Sequence, residues 1–329
     1  MAVDNFNPPQ SLKTAVLFLV FSRIDTTKLV FQTIREAKPP RLYITGDGAR
    51  ENKVGEAEKV KEVRDYIMTN IDWECDVKTL FREKNLGCKN AVSGGITWFF
   101  ENEEQGIILE DDCLPNQSFF RFCEEGLSYW KNNKDVAGIG GFVATCNDVP
   151  FFSLHGSVWG WATWKSVWEK YNADAILNQD DLRFVVDVSS LFSTLEKSYL
   201  ASMLKNKPEN TWDFYWQFSR IKIRKFMILP GVPLISNIGF DLENSTHTKA
   251  EKPKSLKKLE SVNVHSNAID HAKTISNFKK ISFIDYRRVL GRHGLFRIIY
   301  LTTRYFISNP IFHAQLLLIR LSFSRGKGE

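Results

Sequence analysis

At 329 residues the chain is long enough for one large domain or two small ones with a sizeable core. Its apolar content of 43% and charged content of 25% are those of an ordinary soluble globular protein. The net charge of +6 hides an asymmetry, because residues 1–248 carry 28 Lys+Arg against 33 Asp+Glu and residues 249–329 carry 16 against 5. An acidic body joined to a basic tail predicts that the tail meets a polyanionic surface.

Five cysteines (Cys75, Cys88, Cys113, Cys123, Cys146) are odd in number and form no CxxC pair. That pattern argues for reduced thiols in a cytosolic protein and against a disulfide frame or a zinc site. Met1 to Lys13 is polar and the apolar run Ala15–Phe21 is too short to cross a bilayer, so neither a signal peptide nor a span is expected.

In chain order, Ala15–Phe21 reads as a first buried strand, and Asp25 or Thr26 can cap a helix running to about Ala37. Pro39–Pro40 breaks that helix, and Arg41–Thr45 gives a second strand ending in Gly46–Asp47–Gly48. A charged helix over about Gly55–Thr69 leads to a third strand near Val77–Phe81, then to a helix from Cys88 to about Asn102. Strands alternating with helices in this way are the βαβ pattern of a doubly wound α/β sheet. Ligands of such sheets lie outside the strand carboxyl ends, where Arg23, Asp47 and a later acidic group should converge. No Walker lysine loop or GxGxxG occurs in these turns, which argues against an NTPase or a dinucleotide dehydrogenase.

The acidic group stands in GIILEDDCLPNQSFFRF, residues 106–122. Ile107–Leu109 reads as a strand buried on both faces, and Glu110, Asp111 and Asp112 follow at once. Three acids ending a buried strand are costly unless they emerge at the sheet edge and meet a cation. Alternate side chains point apart, so one acid can hold a metal while its neighbour addresses something else. Hard oxygen ligands suit manganese or magnesium. A solvated acidic turn is the plainer alternative. Pro115, Asn116 and Ser118 then open a helix carrying Phe119, Phe120 and Phe122.

Beyond a strand at Val136–Ile139, the segment HGSVWGWATWKSVW packs four tryptophans between His155 and Trp168. It is either an aromatic core segment or a stacking wall for a sugar or base, with Gly160 allowing close backbone approach and Trp161 as the candidate stacking residue. A helix near Leu191–Lys205 reads as core, and Trp212–Asp213 opens a helix to about Arg224, with Asp213 a natural cap. Phe226–Leu229 is a last strand. His247, in the polar stretch Ser236–Thr248, is a metal ligand or a surface-loop histidine. Residues 285–329 interleave arginines with apolar and aromatic residues, so nothing there spans a bilayer and the segment suits lying in a membrane interface. Nucleic acid is the rival polyanion, but no nucleic-acid module accompanies the tail, and a plain domain-packed helix is the third alternative.

Taken together, SRIDTTKLVFQTI, YITGDGAR, NLGCKNAVSGGITWFF, GIILEDDCLPNQSFFRF, VWGWATW, TWDFYWQFSR and PLISNIGFDLENSTHT make the chain resemble the GT-A glycosyltransferases over about residues 14–248. Among them it is similar to N-acetylglucosaminyltransferase I and the bacterial sugar transferases of surface-polysaccharide clusters. The resemblance implies a GT-A fold, a Rossmann-like mixed sheet flanked by helices, with a UDP-sugar donor (possibly UDP-GlcNAc-like) and Mn2+ or Mg2+. It implies that Asp112 ligates the metal bridging the donor diphosphate, that Glu110 and Asp111 hold the ribose and nearby groups, and that Asp47 hydrogen-bonds the pyrimidine. It also implies that Arg23 lies close to the nucleotide, that Asp213 is the catalytic base and that His247 falls near a loop over the diphosphate.

The sequence-level expectation is therefore a GT-A catalytic domain over residues 1–250, a basic linker over 251–284 and an amphipathic membrane-associating tail over 285–329. Its activity would be inverting transfer from a UDP-sugar to a glycan or lipid-linked acceptor, in a cytoplasmic protein peripheral on the inner face of the cell membrane, with no nucleic-acid partner. A single positioned carboxylate suffices for inversion; a retaining reaction would need a second, for which Asp241 and Glu243 are available. A nucleotidyltransferase making sugar nucleotides would want a glycine-rich loop after the first strand, and SRIDTTK has no glycine. A non-catalytic nucleotide-sugar- or glycan-binding protein on the same scaffold is the other rival, and the intact acids count against it.

Overall fold

A computed structural model describes residues 12–143, 150–154, 156, 158–181, 184 and 211–240. The chain divides into two compact units, residues 1–182 with 208–283 and residues 183–207 with 284–329; apart from Phe184, the described residues belong to the first. The expected helix near Leu191–Lys205, the linker, the tail, His247, Asp241 and Glu243 lie outside the described residues.

The first half follows the expected alternation: β1 (Val16–Val20), α1 (Ile24–Ala37), β2 (Arg41–Gly46), α2 (Glu56–Asn70), β3 (Asp76–Phe81), α3 (Gly87–Asn102) and β4 (Gln105–Glu110). Every residue of β1 is buried, as a strand with neighbours on both edges and helices over the sheet requires. β1 pairs parallel with β2 on one side and with β4 on the other. In α1, Thr26, Thr27, Val30, Phe31 and Ile34 are buried, an i, i+3, i+4 stripe against the sheet. The α1 cap differs from expectation: Arg23 is the N-cap residue and Asp25 lies inside the first turn.

The chain continues through β5 (Cys113–Pro115), α4 (Gln117–Trp130), β6 (Val136–Gly140), β7 (Phe151–Ser153), β8 (Trp161–Trp164), α5 (Lys165–Trp168), α6 (Asp213–Lys222), β9 (Phe226–Leu229) and β10 (Ile235–Asn237). Asn116 caps α4, its side chain accepting from Phe119 N at 3.0 Å. The cap turns Phe119, Phe120, Phe122 and Leu127 inward. Fully burying one such side chain is worth about 1.5–3 kcal/mol.

The strand order is β3-β2-β1-β4-β8-β6-β9-β7. β8 runs antiparallel between β4 and β6, and β7 runs antiparallel beside β9, so the eight-stranded α/β sheet is mixed. β1, β2 and β3 run outward in sequence to one edge, and the chain then returns to place β4 on the other side of β1. That reversal makes the carboxyl ends of β1 and β4 the topological switch point, where open α/β sheets bind ligands. A second, two-stranded sheet pairs β5 with β10 and joins the segment after Leu234 to the acidic strand.

Candidate functional site

Parallel register brings the ends of four strands to one edge. Leu19 sits opposite both Thr45 and Glu110, and Gly46 sits opposite Phe81. The residues just past those ends line a cavity of about 350 Å³, within the range of small-molecule sites. Arg23, Asp47, Glu110, Asp111 and Asp112 all line it, so five of the sequence-selected residues meet in one place.

Arg23 Nη1 donates to Asp112 Oδ2 at 2.7 Å, with both side chains largely covered. Asp111 Oδ2 accepts from Phe21 N at 3.2 Å. Burial, then the Asp112 charge, raises the Asp111 carboxyl to about 7 against the pull of Arg23. Burial, with Asp112, Asp111 and Asp213 behind it, holds Glu110 well above the usual carboxylate range. Three carboxyls face one paired guanidinium, and their mutual repulsion and burial keep Glu110 and Asp111 from ionising readily, the condition in which a hard divalent cation is welcome. No cage of three His, Cys, Asp or Glu side chains is preformed among the described residues.

Gly239 explains how the far segment reaches the acids. Ile238 N donates to Asp112 O at 2.8 Å beyond the β5–β10 pair, and a Cβ on Gly239 would lie 2.3 Å from Asp112 Oδ2. Only glycine lets the backbone lie against that carboxylate.

Asp47 has a role the sequence reading did not include. Its oxygens accept from Gly48 N at 3.0 Å, Leu86 N at 2.9 Å and Gly87 N at 3.0 Å. The carboxylate thereby clamps the β3–α3 turn onto the end of β2, and main-chain amides take up both oxygens.

Asp213 is the first residue of α6 and is not its cap; Trp212 is. Its carboxylate is exposed and accepts from the Thr211 hydroxyl. It does not line the cavity, but its charge helps raise two groups that do, Glu110 and the Cys88 thiol. Two contacts hold the start of α6 near that wall. Lys89 of α3 lies over the Tyr215 ring at 4.0 Å, and Trp212 stacks on Trp161 at 5.9 Å.

The stacking-wall reading of Trp161 is corrected. The side chain is 1% exposed, packed among Trp168, Trp212 and Trp216, and absent from the cavity lining, so it offers no free face to a ligand. Gly160 likewise serves packing: it has φ 62°, and a Cβ there would lie 2.5 Å from Ile235. His247 lies outside the described residues.

Phe21, Arg50, Asn85 and Cys88 also line the cavity, although the sequence reading assigned them no role. The Arg50 guanidinium lies 5.8 Å from the Phe21 ring and pairs with Glu56, whose carboxylate also accepts from Arg50 N at 2.8 Å. The signals for this rim are the motifs YITGDGAR, which contains Arg50, and NLGCKNAVSGGITWFF, which contains Asn85 and Cys88. Arg50 holds the Glu56 carboxyl below its usual 4.5. A depressed carboxylate contributes stability that is complete above the unfolded value and lost as pH falls through the folded one. Glu56→Gln should therefore lower stability by about 1 kcal/mol at pH 7 after solvent screening. The melting-temperature gap to wild type should narrow as pH falls below 4.5 and the carboxyl takes up its proton; a gap unchanged in acid would count against the ion pair.

No family model matches the chain, and no curated protein sequence matches it. Solved structures similar to it are nucleotide-sugar transferases and nucleotidyltransferases. A mannosyltransferase from Pyrobaculum calidifontis, solved in complex with GDP-Man and Mn2+, is 8% identical, covers 92% of this chain and 86% of its own, and has a TM-score of 0.37. The inositol-1-phosphate CTP transferase from T. maritima is 10% identical over 79% of this chain and 99% of its own, with a TM-score of 0.42. A UDP-glucose pyrophosphorylase complexed with UDP-glucose is 8% identical over 67% of this chain and 90% of its own, with a TM-score of 0.34.

Proposed function

We propose that the chain is a metal-dependent, inverting glycosyltransferase that moves a sugar from a UDP-sugar to a hydroxyl of a glycan or lipid-linked acceptor. The observation that carries this reading is the trio Glu110, Asp111 and Asp112 at the switch point, lining a cavity with a guanidinium held against them. Three acids crowded together fit Mn2+ or Mg2+, which typically takes one or two carboxylates and completes its shell with substrate phosphates and water. Asp112 would hold the ion, with His247 a further candidate. The bound ion would supply Lewis-acid stabilisation of the departing diphosphate.

The chain's own groups do the rest. Glu110 and Asp111 orient the ribose side of the donor, and Asp47 acts through the turn it clamps. Asp213, carried on α6 beside the cavity wall, takes the proton from the acceptor hydroxyl as its oxygen bonds to the anomeric carbon. The bond from that carbon to the diphosphate breaks on the opposite side, and UDP leaves with the electron pair. The nucleotidyltransferase reading is weakened by the connection from β1 to α1, Phe21–Arg23, which is three residues long and lacks glycine.

A panel of sugar nucleotides incubated with Mn2+ tests the reading. The expected result is hydrolysis of one UDP-sugar to UDP and free sugar. Release of nucleoside triphosphate, and only when pyrophosphate is added, would assign the chain to the nucleotidyltransferases instead.

Among the described residues no helix is long and apolar enough to cross a membrane. The basic tail is proposed as a peripheral anchor at an anionic surface, which would bring a lipid-linked acceptor within reach. Residues 285–329 carry eight Lys+Arg, and each contributes on the order of 1 kcal/mol near such a surface, screened by salt. Full-length protein should co-sediment with phosphatidylserine vesicles at low salt, and a chain ending at residue 284 should not. Equal binding by both would remove the tail as anchor.

A further inference from the structure

We propose that Arg23 exchanges partners during donor binding: it neutralises Asp112 until a divalent cation takes that carboxylate, and then turns its guanidinium to the donor diphosphate. The inference rests on the metal-site reading above and adds an order of events and a coupling that the reading does not require.

Arg23 has a fixed base and a choice of ends. Its carbonyl accepts from Thr27 N at 3.0 Å and from Thr27 Oγ1 at 2.6 Å, which ties its backbone to the first turn of α1. Its guanidinium lines the cavity and spends one N–H on Asp112 Oδ2 at 2.7 Å. Asp112 has little freedom to serve two cations. Its Oδ1 already accepts from the Cys113 thiol at 3.4 Å, and the Gly239 backbone lies against Oδ2. A cation arriving at Asp112 therefore competes with the guanidinium and repels it. A displaced guanidinium in a cavity that receives a diphosphate has an obvious second partner, since its planar fork matches phosphate oxygens.

The exchange has a signature with opposite signs. Removing the guanidinium should strengthen binding of the metal alone, because a competitor is gone, and should weaken nucleotide binding once metal is present. Couplings of this kind typically span about 5–150-fold.

The test is calorimetric titration of the full chain with Mn2+ alone, then with UDP at saturating Mn2+, for wild type, Arg23→Lys, Arg23→Gln and Asp112→Asn. Circular dichroism checks each fold. Mn2+ affinity should rise from wild type through Arg23→Lys to Arg23→Gln, by about tenfold in all, and UDP affinity should fall in the same order. A lysine lacks the fork and pairs less well with a carboxylate, so Arg23→Lys carries the test if Arg23→Gln does not fold. Mn2+ affinity that stays level or falls across the Arg23 variants, while Asp112→Asn loses the metal, would overturn the exchange and leave the metal site standing. Wild-type Mn2+ affinity in Asp112→Asn would overturn the metal site, and the exchange with it.

Discussion

Asp112→Asn should reduce donor hydrolysis by on the order of 10³-fold while leaving the fold intact. Asparagine keeps the shape of the side chain, so the close fit of Gly239 and the main-chain bond from Ile238 survive. What disappears is a formal charge at the position proposed to face the metal. Lewis-acid stabilisation of a departing diphosphate amounts to several kcal/mol, and each 1.36 kcal/mol is tenfold in rate. An excess of chelator should produce the same loss in wild type. The measurement is Mn2+-dependent release of UDP beside the melting temperature, and full wild-type activity in excess chelator would overturn the metal's role.

Asp213→Asn should lower transfer by roughly 10²–10⁴-fold, the usual cost of removing a general base. The fold gives this substitution a clean control. Asp213 is the first residue of α6 and does not cap it; it is an acid in the first turn and accepts from the Thr211 hydroxyl, a bond an asparagine oxygen can also accept. Loss of that charge at a helix N-terminus costs about 0.3–1 kcal/mol, a small fall in melting temperature. UDP and Mn2+ affinities should stay near wild type, because Asp213 lies outside the lining of the cavity. A variant that transfers sugar at close to the wild-type rate would reduce Asp213 to a helix-dipole partner. The base would then be sought at Asp241 or Glu243.

The parallel half of the sheet is legible in the chain because its signals are local. Ala15–Phe21, Leu42–Ile44 and Ile107–Leu109 are short apolar runs separated by helical periodicity, and parallel strands joined by such helices put their ends on one edge. From that alone Arg23, Asp47 and the acids Glu110, Asp111 and Asp112 come together, as they do around the cavity.

Other features depend on partners far away in sequence. Trp161–Trp164 is apolar but for Thr163, and nothing local distinguishes a ligand-facing wall from a strand inserted antiparallel between β4 and β6. Only the packing of Trp161 against Trp168, Trp212 and Trp216 decides it. Asp47 reads as a free carboxylate until the β3–α3 turn, some forty residues on, brings its amides to it. The pairing of β5 with β10 joins residues more than a hundred apart and sets Gly239 against Asp112. Side-chain type and spacing say what a residue can do chemically. Which of its donors, acceptors or faces are left open depends on contacts that form only when distant segments are buried together.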